Sequence, residues 1–408
     1  MPVSCLSVRM TPSMPAHSVS PAKKENRKSL IALLFAGFVL TGIPTVIMGP
    51  ILPVFIARFS LNDAQAGLFF TVFFATSLAG VWLNTVLSSW RGGYRWGLVI
   101  GYLLTGTGLS FFDAPRYLLA VLAASAFGLG YGFISPSTNL TAAEVGGKSS
   151  AGLVSLLNFA WGVGAVACSP LILMAVRKHT LTALLLVLSA CAWALAAAFV
   201  FVGFPSDGAP EDSERAARGS TGTPDILFTI GVASLFFVYV GTEASVGGWA
   251  AEHAKRLSRE VSSLAMIAPT FFYGGLMAGR AVGTLVLATV RGTYVMTVAL
   301  SLAAAGVATV IAAPSQRVAV TGLAIAGLGC ASIYPLYISW FSRWYGAAAR
   351  KFGGLVFSMA SLGGSALPWL VGVTSMGAGS LRIGLLVPLT GCLVMATVVA
   401  LLQRQRSV

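Results

Sequence analysis

Apolar runs of about 20 residues recur along this 408-residue chain, separated by short charged punctuation. A run of that length crosses the ~30 Å hydrocarbon core of a bilayer as a helix. There each backbone polar group must be satisfied within its own segment, which leaves helices as the building material. The constraint predicts an all-α polytopic membrane protein. Composition agrees, with 56% apolar and 9% charged residues, against roughly 25% charged in a soluble domain. The formal charge of +14 would suit a nucleic-acid partner, but the cations are scattered at span ends, so none is expected. The five cysteines lack C-x-x-C spacing and four lie inside apolar runs, as small buried hydrophobes do. His17, His179 and His253 fall in the tail or between spans, so neither a metal nor a cofactor is expected.

Twelve helices are predicted, at 29–57, 64–89, 96–112, 116–144, 150–176, 181–204, 225–251, 262–290, 294–313, 318–345, 351–376 and 379–402. They divide into a bundle over 29–204 and a second over 225–402. The polar stretch 205–224, with Asp207, Glu211, Asp212, Glu214, Arg215 and Arg218, reads as a cytoplasmic linker. Residues 1–28 read as a disordered, Ser/Pro-rich cytoplasmic tail, too weakly apolar for a signal peptide, and 403–408 as a short C-terminal tail. An even number of spans puts both termini on one side. If that side is cytoplasmic, sixteen of the 26 Lys and Arg lie there and nine opposite, with Arg280 inside a span. The positive-inside rule therefore predicts cytoplasmic termini, in a multi-pass plasma (inner) membrane protein that acts as a monomer in the lipid bilayer.

The two halves carry related sequence. Gly128-Leu129-Gly130 to Pro136 and Gly327-Leu328-Gly329 to Pro335 both read G-L-G-x-x-x-I-x-P, with numbers that differ by 199. Arg91-Gly92-Gly93-Tyr94 answers to Arg291-Gly292-Thr293-Tyr294 at 200, and Gly152-Leu153-Val154 to Gly354-Leu355-Val356 at 202. Three matches in one order at nearly one spacing indicate a duplicated half. Duplicated apolar halves commonly enclose a central site that opens to alternate sides.

Polar residues within the spans mark the candidate site. Glu243 is the one acidic residue well inside an apolar run, and a carboxylate there has to be protonated, paired or wetted. It sits about 7 Å beyond the middle of the seventh span, with Tyr239 one turn before it on the same face. Arg280 sits about 6 Å to the other side of its span's middle, so some 13 Å of depth separates the two and a direct pair is not expected. A reach toward the inner interface, or capping of carbonyls there, is expected of it instead. Tyr131 with Ser135, Asn158 with Trp161, Tyr334 with Tyr337, and the stripe Ser358, Ser361, Ser365 add neutral hydrogen-bonding groups near mid-depth. Such serine stripes also serve close helix packing. Gly42-Ile43-Pro44 and Gly49 to Pro53 in the first span, and Gly241 and Gly247-Gly248 in the seventh, predict interruptions at equivalent places. A break at Gly247-Gly248 would turn Trp249 toward the centre, since six residues of unbroken helix leave it about 240° from Glu243. Aromatic rings and neutral hydrogen bonders at one depth suit a sugar.

These features resemble the major facilitator superfamily over about 29–402. Its loop after the second span is similar to Trp90-Arg91-Gly92-Gly93-Tyr94-Arg95, where Arg91 and Arg95 would be gating or structural charges. Trp90 stands in place of that loop's aspartate. Tyr239-Val240-Gly241-Thr242-Glu243 with Gly247, Gly248 and Trp249, together with Gly279-Arg280, Tyr334-Pro335 and Gly49 to Pro53, is similar to the fucose/glucose permease group. The resemblance implies proton-coupled uptake of a hexose or related sugar, with Glu243 at the site and as proton carrier, and Trp249 as an aromatic contact. The first half has no acid deep in a span, which leaves an uncoupled facilitator open. A multidrug or metabolite efflux antiporter is the other alternative, although Ala167 to Ile172 lacks the glycines such antiporters carry in the fifth span. One intramembrane carboxylate and no intramembrane histidine leave little from which to build an enzyme.

Overall fold

The computed structural model describes residues 21–88, 93–146, 150–204, 226–258, 262–287, 289–345 and 349–406. The predicted linker at 205–224, Arg91 of the second-span loop and most of the N-terminal tail lie outside the described residues. The described residues form helices: α1 (Pro21–Val46), α2 (Met48–Phe59), α3 (Asp63–Ser88), α4 (Gly93–Phe111), α5 (Tyr117–Gly146), α6 (Ser150–Arg177), α7 (Leu181–Phe201), α8 (Ile226–Arg256), α9 (Ser263–Met266), α10 (Ala268–Leu287), α11 (Gly292–Ala312), α12 (Gln316–Cys330), α13 (Ile333–Tyr345), α14 (Ala349–Ala378), α15 (Leu381–Gly384) and α16 (Leu386–Arg406).

Among the described residues, ten segments are long and apolar enough to cross a membrane. The third and eighth predicted spans correspond to α4 and to α9 with α10, which glycine, threonine and tyrosine make less apolar. Helix also extends past the predicted limits at both ends, from Pro21 and to Arg406. Proline is tolerated in a first turn, and the Ala-Lys-Lys-Glu residues after Pro21 favour helix.

Local chemistry explains where helices stop. Before α3, Asn62 Oδ1 accepts from the Gln65 amide at 2.8 Å and Gln65 Oε1 from the Asn62 amide at 3.1 Å. This reciprocal pair satisfies two donors the helix leaves free. The first span turns at Ile47, between α1 with Pro44 and α2 with Pro53, because prolines lack the amide an unbroken ladder needs. The predicted break in the seventh span is absent: α8 runs unbroken through Gly247 and Gly248. A break in the tenth span, not foreseen, falls at Ala331 and Ser332, between α12 and α13.

The two halves repeat the same contacts. α3 and α4 pack on α5, α4 on α7, and α1 on α6; in the same way α10 and α11 pack on α12, α11 on α16, and α8 on α14. The repetition reaches single atoms. A methyl group built on Gly164 would lie 2.0 Å from the Val39 carbonyl oxygen, and one on Gly363, 199 residues later, 1.8 Å from that of Phe237. Gly128 meets the Phe73 carbonyl, and Gly327 meets that of Phe272, also 199 residues on. The fifth and eleventh spans end alike, on left-handed His179 (φ 52°) and Gly379 (φ 66°). Past them the amides of Thr180 and Ser380 reach back to the carbonyls of Ala175 and Ser375, at 2.8 and 3.0 Å. This closure satisfies carbonyls at a helix end and needs one left-handed residue.

The halves meet where α3 packs on α14, α2 on α8, and α6 on α9 and α10. Glycine sets the spacing within each half. Gly164→Leu and Gly363→Leu should each lower the thermal midpoint of the purified protein, by the equivalent of about 1–3 kcal/mol or more. Gly354→Leu, with nothing within 4 Å of its methyl position, should leave it unchanged; equal losses at all three would refute the shared packing rule.

Candidate functional site

The seventh span supplies the centre of the site because its helix is unbroken. Tyr239 and Glu243 lie one turn apart on α8 and share a face. Tyr239 is buried, and its hydroxyl donates to the Cys330 carbonyl at 3.1 Å. That carbonyl ends α12, where the turn at Ala331 leaves helix-end acceptors to be satisfied from outside. The tyrosine thus holds the interruption of the tenth span. Its ring lies 5.7 Å from that of Tyr334, the second residue of α13, and Phe236 lies 5.8 Å from Tyr334.

The other half faces this wall with Tyr131 and Trp161. Tyr131 stacks on Phe73 with centroids 5.8 Å apart. Trp161 is hydrogen-bonded to the Thr45 hydroxyl at 3.5 Å and meets Tyr273 of α10 edge-on at 6.3 Å. The Arg280 guanidinium lies over the Trp161 ring, 5.8 Å from its centroid. Glu243 lies within electrostatic reach of Tyr131, Tyr239, Tyr273 and Tyr334, and Arg280 of Tyr131, Tyr239 and Tyr334. Both charges therefore act on one set of rings. Through Trp161, Arg280 touches the opposite half. Tyr131, Glu243, Arg280 and Tyr334 are half-buried.

Other predicted residues serve elsewhere. Trp249 is fully buried, donates to the Pro368 carbonyl at 2.9 Å and packs on Phe70 at 6.4 Å. With α8 unbroken it faces α3 and α14, and Gly248 is where the Phe70 ring fits. The glycines predicted to break the helix instead let the halves approach. Asn158 bonds its own helix at the Val154 carbonyl, 2.8 Å away. Ser361 shares its stripe with Ser358, which accepts from Trp82, and Ser365, which exchanges hydrogen bonds with Thr71. That stripe is the seam between α14 and α3. Arg95 donates to the Val202 carbonyl at 3.2 Å and covers Phe204, which ties α4 to the end of α7.

The end remote from the termini is closed by charges not singled out from sequence. Asp63 receives both terminal nitrogens of Arg256, at 2.5 and 2.9 Å, and the Ser375 hydroxyl at 2.5 Å. Arg256 also holds Glu252 at 2.8 Å. Lys255 reaches the Pro53 carbonyl, Thr270 that of Val166, and Arg177 the hydroxyl of Ser263. The i,i+4 spacing of Glu252 and Arg256 is legible in sequence, but the partner 193 residues from Arg256 is not. Two apolar grooves of about 260 and 450 Å³ lie away from this centre, the first lined by Val282, Val286 and Val298 and the second by Leu367, Leu370 and Ile383. They lack the charges a polar solute would need.

No protein-family model matches the sequence, and no curated protein matches it. Solved structures do. The chain is similar to the fucose:proton symporter FucP of E. coli, with 19% identity over 91% of this chain and 98% of that one and a TM-score of 0.61. It is similar to a D-xylose-proton symporter, with 16% identity, coverage of 91% and 96%, and a TM-score of 0.70. It is also similar to a bacterial homologue of the human lysosomal transporter Spinster in an inward-facing, unoccupied conformation, with 14% identity, coverage of 93% and 98%, and a TM-score of 0.72. At these identities the likeness is one of fold.

Loss of the Asp63–Arg256 bridge should loosen the closed end. In a background without native cysteines, Arg256→Gln should raise labelling of a cysteine at Thr71 by a membrane-impermeant maleimide about fivefold, the equivalent of ~1 kcal/mol. Unchanged labelling would assign the closure to packing alone.

Proposed function

On this major facilitator fold, we propose that the chain carries a small polar solute, a hexose or related sugar, by alternating access with proton-coupled uptake. The reading takes twelve spans in two six-helix bundles, 29–204 and 225–402, joined through 205–224, with cytoplasmic termini in the plasma (inner) membrane and a monomer as the working unit. The observation that carries it is the half-buried Glu243 carboxylate among Tyr131, Tyr239, Tyr273 and Tyr334, on the helix that also helps to close the remote end.

The chemistry suits a sugar. A carboxylate accepts hydrogen bonds from hydroxyls, tyrosine hydroxyls donate and accept, and aromatic faces cover the apolar face of a pyranose. Two of the similar structures are titled proton symporters, for fucose and for xylose. With the remote end latched, the site faces the side of the termini.

Glu243→Gln keeps shape and hydrogen bonding but removes the titratable proton. In proteoliposomes the variant should retain pH-independent exchange of substrate and lose accumulation driven by a pH gradient. Wild-type accumulation with unchanged pH dependence would make Glu243 structural and refute the proton role.

A further inference from the structure

We infer that an anionic phospholipid binds the apolar groove between α10 and α11, with an acyl chain in the groove and its phosphate on Arg291 and Arg343 at the mouth. The inference concerns the lipid-facing surface and stands whether or not the central site carries a sugar.

The groove, of about 260 Å³, is lined by Val286 and Val290 after the middle of α10, by Tyr294 and Val298 of α11, and by Leu328 and Ser332 beneath them. The first five of these are exposed, and on membrane helices such apolar exposure meets lipid chains. α10 follows Ser263, which Arg177 holds at the latched end, and its 20 residues carry it about 30 Å toward the side of the termini. Val290 and Tyr294 therefore lie at the surface of the leaflet on that side, where a tyrosine ring is well placed. Leu328 precedes the break in the tenth span and Ser332 lies in it, so a bound chain rests against that break.

Two cations stand at the mouth. Arg291 is exposed and lies in sequence between the lining residues Val290 and Tyr294. α13 brings the second. Leu336 and Trp340 come within 3.1 and 3.8 Å of the methyl position of Gly292, and Arg343, also exposed, follows Trp340 by one turn on the same face. Neither arginine enters an ion pair among the described residues.

Charge decides which lipid fits. Residues 261–408 contain no Asp or Glu, yet Arg291, Arg343, Arg350, Lys351, Arg404 and Arg406 all fall at predicted span ends on the side of the termini. At the opposite rim, Arg256 is matched by Asp63 and Glu252. An anionic headgroup supplies the missing counter-charge, at a gain of about fivefold in binding for each arginine near the surface. A choline headgroup brings its own cation and cancels that gain. The second groove provides a comparison within the molecule. It is larger, about 450 Å³, but Arg382 beside its lining residue Ile383 is engaged by the Ala313 carbonyl at 2.7 Å.

The test incubates the purified full-length protein in detergent with equal amounts of dioleoylphosphatidylglycerol and dioleoylphosphatidylcholine, and counts retained lipid by native mass spectrometry. The wild type should retain phosphatidylglycerol in preference to phosphatidylcholine by about tenfold or more, and Arg291→Gln and Arg343→Gln should each lower that preference about fivefold. Val298→Trp, which fills the groove and spares both arginines, should cut retention about tenfold. Leu370→Trp, in the second groove, should leave it unchanged. Retention without preference, or a preference that survives removal of both arginines, would overturn the headgroup assignment. Retention unaffected by Val298→Trp would overturn the groove, and a dimer that this substitution dissociates would make the face a contact between copies instead. Should the variants fail to fold, the wild type still decides: phosphatidylglycerol should raise its thermal midpoint, and phosphatidylcholine or inorganic phosphate should not. A rise with phosphate alone, or no rise with phosphatidylglycerol, would overturn the inference.

Discussion

The seam where α3 meets α14 and α2 meets α8 governs the rest of the structure, because it closes the end remote from the termini beside the half-buried Glu243. Three kinds of contact build it. Glycines admit neighbours: Gly248 takes the Phe70 ring, and Gly49 lies against the Gly247 carbonyl. Neutral groups interlock, as Thr71 and Ser365 do by exchanging hydrogen bonds. Charges latch the rim, where Asp63 holds Arg256 and Ser375. In hydrocarbon, helices gain little by hiding apolar surface from one another, so such close packing and polar pairing must supply the attraction. The latch lies at the rim but is partly buried, with side-chain exposure of 35% at Arg256 and 12% at Asp63, so desolvation offsets part of its Coulombic gain.

This arrangement couples the centre to the seam. Glu243 and Trp249 lie on one unbroken helix, the first among the tyrosines and the second in the seam. Tilting of α8 would therefore move both together, with the carboxylate travelling as the seam parts. The interrupted tenth span provides compliance on the facing wall, since Tyr239 caps the end of α12 while Tyr334 rides on α13. Two opposite charges, Glu243 and Arg280, act on the same rings.

Much of this was legible in sequence, for physical reasons. Span positions follow from bilayer thickness, and the duplication was visible because glycines at helix contacts leave no room for change: the 199-residue offset of the motif is also that of the Gly164 and Gly363 contacts. Glu243 stood out because a carboxylate within an apolar run is costly. What failed depended on neighbours. Gly247 and Gly248 permit either a bend or a close approach, and only Phe70 and Tyr273 decide between them. Trp249 followed that error into the site. The contact of Arg280 with Trp161 was not legible, because counting along a helix fixes a backbone and not the far end of a long side chain. The latch was hidden because Asp63 and Arg256 are ordinary helix-end charges until the fold joins them.

Alternation between the two ends is the central claim, and paired distances measure it directly. Spin labels at Ser60 and Met376 report the latched end, and labels at Thr85 and Leu355 the end that carries the termini; all four residues are exposed. Double electron–electron resonance should show the first distance lengthen as the second shortens when substrate and acid are supplied together, and Glu243→Gln should abolish the response to acid. Distances that stay fixed, or that change in the same direction at both ends, would contradict alternating access about Glu243.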